Sequence, residues 1–241
     1  MPNIFAAREK IAAEAVQGRV PLFVGVMDNG IERVLERIRA LNGLAINGVV
    51  LTAPYYFMLS EDSLMRYFTA VADASSYPLY LYDLPVSVKH KLSCGLVEKL
   101  AQHPNIMGIK TADLPMVLKL SCDGRVKDTF AALYSGLETV DVGYAHGVRR
   151  YLDGMFAVAP RNAQAMDRCL RAGDFKKASA HLNTIVHLRD VMAGYGIFPS
   201  FTVMMNLLGI PGEFAPSYEA PVDENGVAVL KKAMQDAGEL D

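Results

Sequence analysis

Short apolar runs alternate with longer segments of helical period over the first 160 residues, after which the short runs stop. Residues 20–26 predict a strand. Ile31, Val34, Leu35, Ile38 and Leu41 then recur on one helical face, and Asn42-Gly43 ends it. The order repeats, with a strand over 48–52 and a helix over 60–74 whose apolar side carries Leu64, Phe68 and Val71. A third unit pairs a strand over 79–82 with a helix opening at Ser93, and a fourth pairs 106–110 with a helix near Leu114. Residues 130–134 predict the fifth strand, before a short helix from about Thr139, and 155–158 the sixth. Strands alternating with helices imply a parallel sheet with helical crossovers. Neither a G-x-G-x-x-G after a strand nor a G-x-x-x-x-G-K-[ST] occurs, so a barrel is favoured over an open doubly wound sheet, though the pattern admits both. Beyond Pro160, residues 162–171, 174–192, 198–208 and 224–237 predict helices. They form a C-terminal extension (161–241) to the alternating part (1–160).

The fourth strand ends unusually. Asn105-Ile106-Met107-Gly108-Ile109-Lys110 is an apolar run closed by an amine. Strict alternation places Ile106, Gly108 and Lys110 on one face and Met107 and Ile109 on the other. A glycine below a lysine leaves room for a ligand, and an amine at a strand's carboxyl end can capture a carbonyl as a Schiff base. A lysine that simply meets solvent is the alternative.

Composition narrows the function classes. With 241 residues, 51% hydrophobic, 21% charged and a net charge of −2, the chain can bury a sizeable core but carries no strong field. No basic stripe points to nucleic acid, and no apolar run approaches the roughly 20 residues that cross a bilayer. Arg8, Glu9 and Lys10 interrupt the N-terminal pattern of Ile4, Ala7, Ile11 and Ala15, which argues against a signal peptide and makes the cytoplasm the expected location. Cys94, Cys122 and Cys169 fit reduced thiols, and five scattered histidines show no metal-ligand spacing. Neither metal nor cofactor is expected.

In (β/α)8 barrels the chemistry stands at the carboxyl ends of the strands. Here those ends read Thr52-Ala53-Pro54-Tyr55-Tyr56, Tyr80-Leu81-Tyr82-Asp83-Leu84-Pro85, Lys110 and Ser135-Gly136. Tyrosines, an amine and a serine-glycine turn supply a proton shuttle, a nucleophile and donors for an oxyanion. Interfacial packing is the plain account of any one tyrosine.

Pro54-Tyr55-Tyr56, Tyr82-Asp83-Leu84-Pro85, Gly108-Ile109-Lys110 and Ser135-Gly136, in this order and at these separations, resemble the dihydrodipicolinate synthase/N-acetylneuraminate lyase family of Schiff-base aldolases. The resemblance covers nearly the whole chain. It implies a TIM-type (β/α)8 barrel in which Lys110 attacks the ketone of pyruvate or another 2-oxo acid. Tyr82 would then shuttle protons, Tyr56 would complete the relay across a subunit interface, and Ser135 and Gly136 would line the site. The attacking amine must be neutral, and at a reference pKa of about 10.4 only on the order of 1 in 2,500 lysines is neutral at pH 7.

Two departures from the family pattern shape the expectation. Arg8-Glu9-Lys10 aligns with the helix after the family's second strand, so the first βα unit and the second strand, with a Gly-Thr-Thr-Gly-Glu-like turn, have no counterpart. Residues 20–26 and 155–158 would then be unpaired edges. Further, Val86-Ser87-Val88-Lys89 stands where synthases place an arginine for the second substrate's carboxylate. That favours an aldolase of 2-oxo-3-deoxy sugar acids over dihydrodipicolinate synthesis, with Lys89 or Arg149 as other holders of an acidic group. The competing reading is a non-catalytic relative that binds or assembles. Tyr55, Tyr56 and the open edges predict a homo-oligomer, a dimer or tetramer.

Overall fold

The computed structural model describes residues 4–241 and divides between Tyr134 and Ser135 into two compact units. The first runs α1 (Ile4–Val16), β1 (Phe23–Gly25), α2 (Ile31–Ala40), β2 (Gly48–Thr52), α3 (Glu61–Ala74), β3 (Leu79–Tyr82), α4 (Pro85–Val88), α5 (Cys94–Leu100), β4 (Ile106–Thr111), α6 (Leu114–Cys122) and β5 (Ala131–Tyr134). The five strands pair in parallel in the order β1-β2-β3-β4-β5. The crossover helices α3, α5 and α6 start where a side chain accepts an orphan backbone N–H, whereas α2 follows Gly30 without such a cap. Ser60 accepts from Ser63 N at 3.2 Å, Ser93 from Leu96 N at 3.1 Å and Asp113 from Met116 N at 2.9 Å. Past α2, Gly43 turns the chain at φ +85°, a conformation that a β-carbon disfavours.

The two faces of the sheet differ. Val24, Val49, Leu51, Leu79, Leu81 and Ile109 are fully buried, in a core shared with Val34 and Ile38 of α2, Leu64, Phe68 and Val71 of α3, Val97 of α5 and Val117 of α6. Each such side chain contributes about 1.5–3 kcal/mol over its exposed state. On the other face Val50, Tyr80, Tyr82, Lys110 and Leu133 are only partly buried, and Phe23 is exposed.

Two expectations from the sequence need correction. Residues 155–158 are not a sixth strand but the short helix α8 (Met155–Val158), introduced after α7 (Val140–Ala145) of the second unit. Asp153 accepts the Met155 N–H at 2.9 Å, Ala159 N–H reaches Met155 O at 3.0 Å, and among the described residues no strand offers this segment a ladder. The edges of the open sheet are therefore β1 and β5. Strict alternation also fails in β4: Leu79 stands opposite Ile106 but Tyr80 opposite Gly108, so one extra residue bulges near Met107. Ile106 consequently shares the helix-covered face with Leu79, and only Gly108 and Lys110 share the other. On α1, for which no burial was expected, Ala7, Ile11 and Ala15 are exposed and Glu9 is buried.

The second unit follows a 3-10 turn (Leu137–Thr139) and α7 and α8 with α9 (Pro160–Arg171), α10 (Phe175–Ala193), α11 (Ile197–Leu207) and α12 (Glu224–Asp236). The four long helices fall within two residues of the expected spans. Met166 and Leu170 of α9, Leu182, Ile185, Leu188 and Met192 of α10, Met204 of α11 and Leu230 and Met234 of α12 make its core. The buried Glu239 carboxylate accepts the N–H groups of Arg161 and Asn162, each at 2.9 Å, which fastens the chain's end to the N-terminus of α9.

Candidate active site

Tyr82 and Lys110 are partners in register at the carboxyl ends of β3 and β4. Both face the partly open side of the sheet. Lys110 Nζ lies 3.0 Å from the Tyr82 hydroxyl and 4.4 Å from its ring centroid, so the amine is held against a group that can both give and take a proton. The space below Lys110 is not a ligand pocket, contrary to expectation. The Tyr80 ring lies across Gly48 and Gly108, where a β-carbon would come within 2.8 Å of it, and its ring meets Phe23 edge-on at 4.8 Å. Gly108 is thus a floor for Tyr80, and whatever Lys110 meets must approach from the strand ends.

Behind this pair stands a polar cluster that the sequence reading passed over. Asp83 follows Tyr82 and points to the opposite, covered side, its side chain 1% exposed. Its Oδ2 accepts from Lys91 Nζ at 2.6 Å and Thr111 Oγ1 at 2.8 Å, and its Oδ1 from Leu92 N at 3.0 Å. Lys91 Nζ also reaches Asp113 Oδ2 at 3.0 Å. Burial alone would lower the Lys91 pKa and raise that of Asp113, but their mutual contact and the hydrogen bonds around them outweigh it. The lysine is raised and the carboxyl lowered. Alternation was the available signal, since a carboxylate one residue past an outward tyrosine must face the covered side.

Tyr56 does not join Tyr82 and Lys110. It is 69% exposed, stands edge-on to Phe57 at 4.7 Å and lines a separate cleft of about 560 Å³ with Asn29, Pro54, Phe57, Arg66 and Tyr67. Tyr55, Phe57 and Met58 are exposed beside it. The backbone of this loop is nonetheless held. Asn29 Oδ1 accepts from Tyr55 N at 2.7 Å and Tyr56 N at 3.1 Å, and His90 Nε2 donates to Phe57 O at 2.9 Å. Asn29 in turn follows Asp28, whose buried carboxylate meets Arg33 at 3.2 Å and Arg37 at 2.9 Å. Ser135 and Gly136 come directly after β5 and open the second unit, where Gly136 O accepts from Thr139 N at 3.1 Å. Lys89, considered above as an anion holder, sits in the left-handed region at φ +58° just after α4 and is exposed.

Comparison with known proteins bears on the chain as a whole. A family model described as the dihydrodipicolinate synthetase family matches residues 8–237. A 4-hydroxy-tetrahydrodipicolinate synthase of Acidiphilium cryptum is 30% identical over 96% of this chain and 79% of its own length. Among solved structures, a dihydrodipicolinate synthase of Thermotoga maritima superposes with a TM-score of 0.86 at 18% identity, over 100% of this chain and 83% of that one. The prophage protein YagE of Escherichia coli K12, of the same family and in complex with pyruvate, superposes at 0.85 with 24% identity, over 97% of this chain and 80% of that one.

Proposed function

The chain belongs to the dihydrodipicolinate synthetase family, and on that premise we propose that it is a pyruvate-dependent lyase in which Lys110 is the Schiff-base nucleophile and Tyr82 its acid and base. The observation that carries this is the 3.0 Å approach of Lys110 Nζ to the Tyr82 hydroxyl at adjacent strand ends. The neutral amine attacks the ketone carbon of the 2-oxo acid. Tyr82 relays a proton to the resulting carbinolamine hydroxyl, which leaves as water, and the iminium takes up the electrons of the bond broken beyond its neighbouring carbon as an enamine, or returns them when that bond is made. Ser135 and Gly136 are proposed to line the site and Tyr56 to reach a neighbouring subunit's relay.

The aldehyde partner is the finer question. The names of the relatives point to 4-hydroxy-tetrahydrodipicolinate synthesis as the leading reaction. Val86-Ser87-Val88-Lys89, which lacks an arginine, keeps cleavage of a 2-oxo-3-deoxy sugar acid as the alternative. On this reading residues 1–160 correspond to the barrel part and 161–241 to the helices that follow it. On the same reading the family's first βα unit and second strand, with the carboxylate-holding turn that full turnover would require, are not matched within residues 1–241. The proposed setting is a homo-oligomer in the cytoplasm.

Incubation with pyruvate and borohydride followed by peptide mass mapping tests the nucleophile. A reduced pyruvate adduct on Lys110 is expected; its absence would leave the non-catalytic scaffold as the reading. Assays with the synthase's second substrate and with 2-oxo-3-deoxy sugar acids then separate the two reactions.

A further inference from the structure

The cluster behind the candidate site joins the residues that immediately follow Tyr82 and Lys110. Asp83 N donates to Lys110 O at 2.9 Å, the last backbone bond between the two strand ends, and Thr111 Oγ1 donates to Asp83 Oδ2 at 2.8 Å on the covered side. Beyond these bonds the ladder stops, because Leu84-Pro85 turns into α4 and Asp113 caps α6. The side chain of Asp83 is thus a tie across the rung where backbone pairing ends. Asp83 Oδ2 also accepts from Lys91 Nζ and its Oδ1 from Leu92 N, and Thr111 Oγ1 itself accepts from Asp113 N at 3.1 Å. Every member of the cluster is partnered, so it has one satisfied arrangement rather than several.

We propose that Asp83, acting through Thr111, is a positioning residue that sets the distance between the Tyr82 hydroxyl and the Lys110 amine. The proposal rests on the Schiff-base reading above. Neither Asp83 nor Thr111 touches the reacting atoms, since both lie on the covered face, with Thr111 wholly buried. They act on the backbone from which the two side chains project. Loosening that rung moves a tyrosine hydroxyl at the end of a long lever, and a misplacement of about 1 Å at reacting atoms costs on the order of 10²-fold in rate. The Glu239 carboxylate of the second unit is the useful contrast: it is equally buried and equally hydrogen-bonded, but it fastens the chain's end to a helix and abuts no candidate nucleophile.

The test measures the maximal rate of the borohydride-trapped Lys110 adduct and the half-saturating pyruvate concentration in the full chain, with urea unfolding alongside. Thr111→Val keeps the shape and removes the donor. It is expected to slow the maximal rate roughly 10-fold with half-saturation changed by less than about two-fold. Thr111→Ser, which restores a hydroxyl, should recover most of the rate, and Asp83→Asn should slow it on the order of 10²-fold. A Thr111→Val rate equal to wild type, a failure of serine to rescue, or a loss that merely follows the unfolded fraction would overturn the positioning role. Absence of any adduct on wild-type Lys110 would instead sink the Schiff-base reading, and the positioning role with it.

Discussion

Two regions at the carboxyl ends of the same sheet are built in opposite ways. At the ends of β3 and β4, Tyr82 and Lys110 stand on a rung whose covered side is tied by Asp83, Thr111, Lys91 and Asp113, with the Asp83 side chain 1% exposed. After β2, Tyr55, Tyr56, Phe57 and Met58 put four large apolar side chains in a row toward solvent, Tyr56 and Phe57 at 69% and Met58 at 71%. Only the backbone of that second region is fixed, by Asn29 and His90. The difference separates what one chain can organise alone from what it leaves to a contact. The proposed nucleophile and its proton partner are set within the described residues, whereas Tyr56 has its backbone in place and its ring uncovered.

The largest expected effect breaks the organised side of the comparison. Lys110→Ala should abolish the trapped pyruvate adduct altogether, because no other amine occupies that rung. An adduct persisting on another lysine would move the nucleophile elsewhere. Tyr82→Phe keeps the ring beneath the amine but removes the hydroxyl, and adduct formation should slow on the order of 10²-fold, the usual size of one general acid-base contribution. Stopped borohydride trapping over a time course reads both. If Tyr82→Phe trapped pyruvate as fast as wild type, the 3.0 Å contact would be packing alone.

The exposed side is tested by charge. A contiguous apolar patch of this kind marks an interaction surface, and a second copy of the chain is the proposed cover. Phe57→Asp with Met58→Asp should shift sedimentation toward the monomer at micromolar concentration; an adduct on Lys110 should still form, since the Tyr82 rung does not depend on that loop, but more slowly, since the proposed Tyr56 relay crosses the lost interface. A wild-type chain already monomeric under those conditions would remove the premise. Loss of trapping together with the oligomer would show that the two regions are less independent than their hydrogen bonds imply.

Much of this contrast was legible in the residues. The amine at the end of 106–110 and the tyrosine at the end of 79–82 fall on neighbouring strands by periodicity alone, and Ser60, Ser93 and Asp113 mark helix starts by their chemistry. What periodicity missed is non-local. The bulge beside Met107 depends on how β3 pairs with β4, so Ile106 could not be assigned its face from β4 by itself. Residues 155–158 read as a strand because Met, Phe, Ala and Val suit one, but strand formation needs a neighbour's backbone, and without it the Asp153 side chain starts a helical turn instead. Gly108 looked like an opening because a sequence does not show that Tyr80, one strand away, fills the space above it. The Asp83 cluster was missed for a related reason: Lys91 and Asp113 come from different loops and meet only once the sheet has formed.

The smallest expected effect bears on how the organised side is held, and it is a matter of sign. The Lys91 pKa is raised, so the ammonium contributes stability that is fully present below the unfolded value of about 10.4 and is lost as pH climbs through the higher folded value. The Asp113 pKa is lowered, so its carboxylate contributes stability that is present above the unfolded value of about 3.9 and is lost as pH falls through the lower folded value. Both contributions are therefore complete from about pH 5 to about pH 9. Lys91→Met should lower unfolding stability by only about 1–2 kcal/mol, because the lysine side chain is 45% exposed and solvent screens the pair. Urea midpoints of wild type and variant should run parallel across that window and converge as pH falls through the lowered Asp113 value and as it climbs through the raised Lys91 value. A gap that persists undiminished at both extremes would mean that Lys91 stabilises the strand ends by packing its stem rather than by charge, and the tie behind Tyr82 and Lys110 would then rest on Asp83 and Thr111 alone.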